Sequence, residues 1–343
     1  MANASQSESV TWHEGREIGV EGKGWTDTER YYDRLPARAH GVVREPVWEL
    51  SRHSAGMCLR FGTDSPAISV RWTLYATYAP MSHFAPTGSA GVDLYARDAS
   101  GRWRWLAVGR PDTPPKMESK IAADLAAGTR EYLLYLPLYQ GVDEVAVGVE
   151  RGASFQAGPP RTEKPIVFYG TSIVQGGCAC RAGMAYTAIL GRRLDRPVIN
   201  LGFSGNALME PEVAALLAEL DPAVYILDAL PNNGSADVAP RAGPFLRTLL
   251  RARPNTPMLL VENLRYQGAE FHPGTLAELK AKNAAWRKLY EELLREGARN
   301  LHYVPGEALL GEDGEATVDG AHPTDVGFIR MADVLGQTLA PLL

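Results

Sequence analysis

The first 160 residues are written in short apolar runs, several of which alternate apolar with polar or charged positions. "MCLRFGT" (57–63), "AISVRWTLYAT" (67–77), "GVDLYARD" (91–98), "RWRWLAVG" (102–109), "REYLLYLPLY" (130–139) and "EVAVGVE" (144–150) are rich in Val, Leu, Tyr and Trp. A period of two places one face of each strand inward, and Gly, Pro, Asp and Ser punctuate the intervals between them. Only "KIAADLAAGT" (120–129) carries a helical composition. Short strands at this spacing predict an antiparallel sandwich. "SFQAGPPRTEKP" (154–165) then reads as a linker.

Beyond the linker the period changes. Apolar runs "PIVFYG", "PVINLGF", "AVYILDAL", "PMLLVENL" and "LHYVPG" predict strands buried on both faces. Between and after them, "AYTAILGRRL", "EVAALLAEL", "GPFLRTLLRAR", "AELKAKNAAWRKLYEELLREG" and "DVGFIRMADVLGQTLAPLL" carry helical patterning. Thr275 and Glu278 have the spacing of a capping box for the fourth helix. Strand–helix alternation predicts a parallel sheet covered by helices on both sides.

Composition narrows the function. The 343 residues are 45% hydrophobic and 22% charged, values of a globular chain long enough for two domains. A net charge of −5 argues against nucleic acid, which calls for a basic face. No run approaches the roughly 20 apolar residues of a membrane span. The start, "MANASQSESVTWHEGREIG", has no apolar core of signal-peptide length, so a cytoplasmic location is expected. Cys58, Cys178 and Cys180 are too few for a disulfide framework and read as reduced packing residues. The seven histidines are scattered, so no metal centre is expected.

The candidate chemistry begins at "IVFYGTSIVQGG" (166–177), where an apolar strand stops at Gly170 and leaves Ser172 in a turn. That is where open α/β sheets place ligands, and an exposed nucleophile is expected there; the plainer reading is a turn or capping serine. A serine nucleophile needs a base, a group to orient the base, and donors for the oxyanion. "VDGAHPTD" (318–325) sets Asp319 three residues before His322, so the carboxylate can reach one ring nitrogen while the other faces outward. Gly205 in "NLGFSGN" and Asn232 in "LPNN" follow the next two strands and are candidate oxyanion donors, although Gly and Asn are also ordinary turn formers. The glycines match neither a dinucleotide fingerprint nor a phosphate loop. Finally, "ATYAPMSHFAPTGSAG" (76–91) is longer than a hairpin turn needs and carries His83 and Phe84, which are expected to line a substrate cleft.

Taken in order, "GTSI", "NLGFSGN", "LPNN" and "DGAHP" resemble the four blocks of the SGNH hydrolases, the GDSL-like esterase superfamily. "GVDLY" and "LPLYQGV" resemble the β-sandwich that precedes the catalytic domain in one bacterial subgroup. Thr171 stands where the family usually has aspartate, and Asn233 where aspartate often follows the block-three asparagine. The resemblance implies a flavodoxin-like three-layer α/β/α domain over about residues 161–343, after an all-β, jelly-roll-like sandwich over about 1–160. It implies Ser172 as nucleophile, His322 as general base, Asp319 as its orienting group, and an oxyanion hole of Ser172, Gly205 and Asn232. No cofactor and no metal are implied. The expected activity is hydrolysis of short acyl esters, with acetyl esters of carbohydrates favoured, and a homo-oligomer is left open. The alternatives are an acyltransferase and a non-catalytic carbohydrate-binding protein, the latter motivated by Trp103 and Trp105.

Overall fold

The computed structural model describes residues 9–343; residues 1–8, which open the stretch read above for a signal peptide, lie outside the described residues. The N-terminal strands are Val10–Glu14 (β1), Val20–Glu21 (β2), Cys58–Thr63 (β3), Ile68–Leu74 (β4), Val92–Arg97 (β5), Trp103–Gly109 (β6), Lys116–Ala122 (β7), Arg130–Tyr135 (β8), Val142–Glu150 (β9) and Phe155–Ala157 (β10). They form two antiparallel sheets, ordered β1-β9-β4-β7 and β10-β3-β8-β5-β6, with β2 beside β3. Leu59, Phe61, Leu94, Tyr132 and Leu134 from one sheet meet Ile68, Val70, Trp72, Val145 and Val147 from the other in one core. This is the sandwich that the alternation predicts.

Two local readings are overturned. Lys116–Ala122 is an edge strand paired with β4, so the start of the helical-looking 120–129 stretch is β structure. Pairing and burial of Met117 at this sheet edge override a weak helical preference. The proposed linker likewise begins as β10, which pairs with β3 because Phe155 stacks on Phe61 and His13.

The second half contains Ile166–Gly170 (β11), Val198–Gly202 (β12), Val224–Asp228 (β13), Met258–Val261 (β14) and Leu301–Val304 (β15). All are parallel, in the order β12-β11-β13-β14-β15. That is the 2-1-3-4-5 order of flavodoxin-like sheets, whose switch point lies beside the first strand. Alternation explains the layers. Ile166, Phe168 and Ile226 pack with the helices Tyr186–Leu194 and Asp325–Leu339. Val167, Tyr169 and Tyr225 point the other way, onto Pro211–Glu219, Gly243–Ala252 and Pro273–Arg295. The capping box expected at Thr275 is not used. Pro273 starts that helix two residues earlier, and Glu278 instead accepts from the Ser235 N–H (2.6 Å) and hydroxyl (2.9 Å).

A segment without a strand pattern joins the halves. The helix Glu45–Ser51 buries Val47 and Trp48 in the same cluster as Val167, Tyr169 and Leu201. Beside it Arg34, 1% exposed, donates to the carbonyls of Asn200 (3.0 Å), Gly202 (2.8 Å) and Leu50 (2.6 Å). A buried guanidinium is tolerated only with such partners, and here it clamps the carboxyl end of β12. Arg34→Ala is expected to destabilise the protein by about 3–5 kcal/mol, because it opens a cavity and removes donors from two buried carbonyls and one half-buried one. The shift of the urea midpoint at constant slope measures this; a loss below about 1 kcal/mol would show the clamp to be dispensable.

At the end of β13, Asp228 is buried and accepts from the Tyr186 hydroxyl (2.9 Å). Burial raises its pKa to about 7, and the tyrosine hydrogen bond offsets only part of that. Between about pH 4 and 7 the unfolded chain is therefore ionised here while the folded chain keeps its proton, so stability falls as pH rises through that window. In Asp228→Asn this fall, on the order of a few kcal/mol, should vanish from the pH dependence of the unfolding free energy. An unchanged pH slope would mean that Asp228 is ionised in the folded protein.

Candidate active site

Gly170 ends β11, and Thr171 caps a single helical turn, Ser172–Gln175, through its side-chain oxygen and the Ile173 N–H (3.3 Å). Thr171 is fully buried, and the cap is its structural contribution at the position where the family usually has aspartate. Gly176 closes the turn with φ of 107°, a left-handed conformation that glycine adopts without strain. Ser172 therefore stands at the start of a single helical turn, where the sequence placed it in a turn after the strand. It is also only 7% exposed, against the exposed serine expected. Its neighbours cover it: the Tyr139 hydroxyl donates to the Ser172 carbonyl (3.2 Å), and His322 sits on its hydroxyl.

The Ser172 hydroxyl lies 2.8 Å from His322 Nε2, and His322 Nδ1 lies 2.7 Å from Asp319 Oδ2. A carboxylate partner requires the proton on Nδ1, which leaves Nε2 as the acceptor for the serine proton. The second carboxylate oxygen, Oδ1, accepts from the backbone N–H groups of His322 (2.8 Å) and Ala321 (3.0 Å). One aspartate thus holds both the ring and the turn that carries it, which is why a spacing of three residues suffices. Partial burial pushes the Asp319 pKa up, but the His322 and Ala321 hydrogen bonds outweigh it and bring it down to about 2. Gln267 props the loop from outside, accepting from the Ala316 N–H (3.0 Å) and the Thr317 hydroxyl (2.7 Å).

Candidate oxyanion donors follow the two strands that flank β11. The register pairs Gly170 with Gly202 on one side and with Asp228 on the other, so the turns after all three strands open on one sheet edge. Gly205, at φ of 69°, and Ser172 have backbone N–H groups with no acceptor among the described residues. Asn232 Oδ1 accepts from the Ala207 N–H (3.2 Å), so the amide is oriented and its Nδ2 has no partner among the described residues. Asn233 supports this loop itself: its Nδ2 donates to the carbonyls of Ala207 (2.9 Å) and Ala229 (2.8 Å).

Several contributors had no sequence signal. Gln175 Nε2 donates to the Leu138 carbonyl (3.0 Å) and to His53 Nδ1 (3.0 Å), while its Oε1 accepts from the Ser204 N–H (3.1 Å). It joins the serine turn, the Gly205 loop and the sandwich. His53 is neutral, because burial, with Arg34 adding, lowers its pKa to about 3. The sandwich also reaches the site through the 76–91 loop. Phe84 is buried and packs edge-on against Tyr139 (4.5 Å between centroids), and the rings of His83 and Phe84 lie 5.8 and 6.1 Å from that of His322. The histidines are not all scattered: nitrogen atoms of His83 and His322 and the sulfur of Cys178 lie within 4.8 Å of one another. Cys58 and Cys178 are buried as expected for packing residues, but Cys180 is exposed. Trp105, half exposed, donates its Nε1–H to Asp93 (3.0 Å), and Trp103 packs beneath Arg97, so both indoles flank ion pairs that cross to Arg181 and Asp195 of the second half. Among the described residues no helix is long and apolar enough to cross a membrane.

Comparison with known proteins places this geometry. Residues 163–340 match the GDSL-like lipase/acylhydrolase family, and residues 10–155 match the GxDLY domain, the N-terminus of SGNH-hydrolase-type esterases. A GDSL-like lipase of Bacteroides ovatus ATCC 8483 is 33% identical over 97% of this chain and 98% of its own, with a TM-score of 0.92. A salicylyl-acyltransferase from a tetracycline biosynthetic pathway shares the fold at 19% identity, over 97% of each chain, with a TM-score of 0.75. So does a family two carbohydrate esterase of Clostridium thermocellum, at 15% identity over 83% of this chain and 91% of its own (TM-score 0.60). No curated protein matches the chain. With its parallel-sheet domain matched across its length and its sandwich matched by the companion domain, the chain belongs to the GDSL-like lipase/acylhydrolase family of SGNH hydrolases.

Proposed function

We propose that the protein is a serine esterase that hydrolyses short acyl esters, acetyl esters of carbohydrates among them, through an acyl-enzyme on Ser172. The observation that carries this reading is the continuous hydrogen-bonded line from Ser172 Oγ through His322 to Asp319, at 2.8 and 2.7 Å. As Ser172 Oγ bonds to the ester carbon, its proton passes to His322 Nε2, and the imidazolium is held against the ionised Asp319. The carbonyl oxygen becomes the oxyanion, met by the N–H groups of Ser172 and Gly205 and by Asn232 Nδ2. Nε2 then protonates the leaving alkoxide, and a water activated by the same nitrogen releases the acid.

Close packing around the serine turn supports a short acyl group. A side-chain carbon on Gly177 would meet the Tyr139 hydroxyl at 2.9 Å and the Phe84 ring at 3.1 Å, so the space behind the serine turn is already filled. The carbohydrate alcohol is suggested by the esterase neighbour of Clostridium thermocellum, whose likeness here is one of fold.

Ser172→Ala and His322→Ala should each lower kcat by at least about 10³-fold with the fold intact, whereas Asp319→Asn should cost less, since an asparagine still holds the ring loosely. Steady-state kinetics beside unchanged thermal unfolding test this. Full activity in Ser172→Ala, or labelling of another residue by a serine-directed phosphonate, overturns the assignment.

With p-nitrophenyl esters of increasing acyl length, kcat/KM should be highest at acetyl to butyryl and fall by about tenfold or more at octanoyl. Hydrolysis should exceed transfer to millimolar sugar acceptors, since transfer needs a site that excludes water and holds the acceptor. A preference for long chains, or predominant transfer, contradicts this reading and favours a lipase or an acyltransferase.

A further inference from the structure

The His83, Cys178 and His322 group is built from three distant parts of the chain: the 76–91 loop of the sandwich, the turn after Ser172 and the Asp319–His322 turn. Its ligand atoms, two imidazole nitrogens and one sulfur, lie within 4.8 Å of one another. A tetrahedral zinc ion holds nitrogen at about 2.0–2.1 Å and sulfur at about 2.3 Å, which sets its ligand atoms roughly 3.3–3.7 Å apart. The remaining gap is about one ångström, and the group that must close it is His83, which is exposed and sits on a long loop. The other two are already fixed. Cys178 is 8% exposed, and His322 is oriented by Asp319 at 2.7 Å. A histidine that donates one N–H to a carboxylate and offers its other nitrogen to a metal is the common arrangement in zinc sites, the carboxylate fixing the ring and raising its basicity.

We propose that His83, Cys178 and His322 form an inhibitory site for a soft divalent cation such as zinc, which shuts the enzyme by capping the nitrogen that takes the Ser172 proton. The choice of ion follows from the ligands. Two imidazoles and a thiolate suit zinc and exclude magnesium and calcium, which demand oxygen. Binding replaces water on the ion with His83, His322 Nε2 and Cys178 Sγ, and the thiol proton leaves to solvent. The Ser172–His322 hydrogen bond is lost, because Nε2 has a single lone pair, and a water or substrate oxygen completes the fourth position. Inhibition rests on the reading of His322 as the base; binding does not.

The test separates the two. Titration with Co²⁺ alone should give the wild-type protein a thiolate-to-cobalt charge-transfer band in the near ultraviolet, and Cys178→Ser should lack it. Zn²⁺ should inhibit hydrolysis of p-nitrophenyl acetate at micromolar concentration, and EDTA should restore it. Cys178→Ser should retain turnover within about twofold and need at least about tenfold more Zn²⁺ for half-inhibition, since loss of even an outer-shell partner costs about 10–100-fold in affinity. Absence of the cobalt band in the wild type, or equal zinc sensitivity of wild type and Cys178→Ser, overturns the proposal. Should the wild type prove inactive toward every ester, the cobalt band still decides the site, and the failure falls on the esterase reading alone.

Discussion

The structure depends on how closely the sandwich approaches the turn that carries Ser172. A side-chain carbon on Gly88 would sit 2.1 Å from the Ala179 carbonyl oxygen, so that contact exists only because the position is glycine. Around it Phe84, Tyr95, Leu133, Tyr135, Leu138 and Tyr139 of the sandwich share one apolar cluster with Ile173, Val174, Ala185 and Ala188 beyond β11. The outer face of a sandwich strand is ordinarily solvated. Here the outer face of β8 and β5 is a second core, and the two domains form one continuous interior. The GxDLY aspartate secures that contact electrostatically: Asp93, fully buried, accepts from Arg181 (2.9 Å), from the Gly183 N–H (2.8 Å) and from Trp105 (3.0 Å). Burial raises its pKa, and Arg181 opposes the rise. A carboxylate without these donors would be too costly to place there.

The chemistry inherits its precision from that docking. Tyr139 on the Ser172 carbonyl and Leu138 on Gln175 are sandwich groups, yet they position the serine turn and, through Gln175, the Gly205 loop. Arg34 adds a clamp on the end of β12 from a third direction. Ser172, Gly205 and Asn232 are thus held by packed elements, and His322 by a carboxylate whose pKa its hydrogen bonds bring down to about 2. Rigid support of this kind lets donors meet a developing charge without reorganising. The same crowding makes His322 a neighbour of His83 and Cys178.

The misread stretches share a cause. Lys116–Ala122 and Phe155–Ala157 are strands because a neighbouring strand offers them a ladder, and their own composition is weak. Glu278 fits a capping box by spacing, but Ser235 competes for it across space and wins. Ser172 looked exposed because the residues that cover it, Tyr139 and His322, lie 33 and 150 positions away. The segment between β2 and β3 has no strand period, since its task is to bury Val47 and Trp48 against a sheet formed far downstream.

Periodicity and ordered short motifs were sufficient to determine the two-part architecture, the parallel sheet, and the placing of Ser172, Gly205 and Asn232 after successive strands and of His322 before the last helix. These are local facts: a strand buried on both faces must be apolar throughout, and an aspartate three residues before a histidine can reach its ring without help from elsewhere. Only the tertiary structure decided which loops meet. It turned Asp93 from a motif letter into a buried ion-pair partner and made Gln175 the junction of three segments. It also drew Cys178 and two histidines from separate parts of the chain into one cluster. Contacts of that kind leave no period in the sequence, because each is made between elements whose separation along the chain is unrelated to their separation in space.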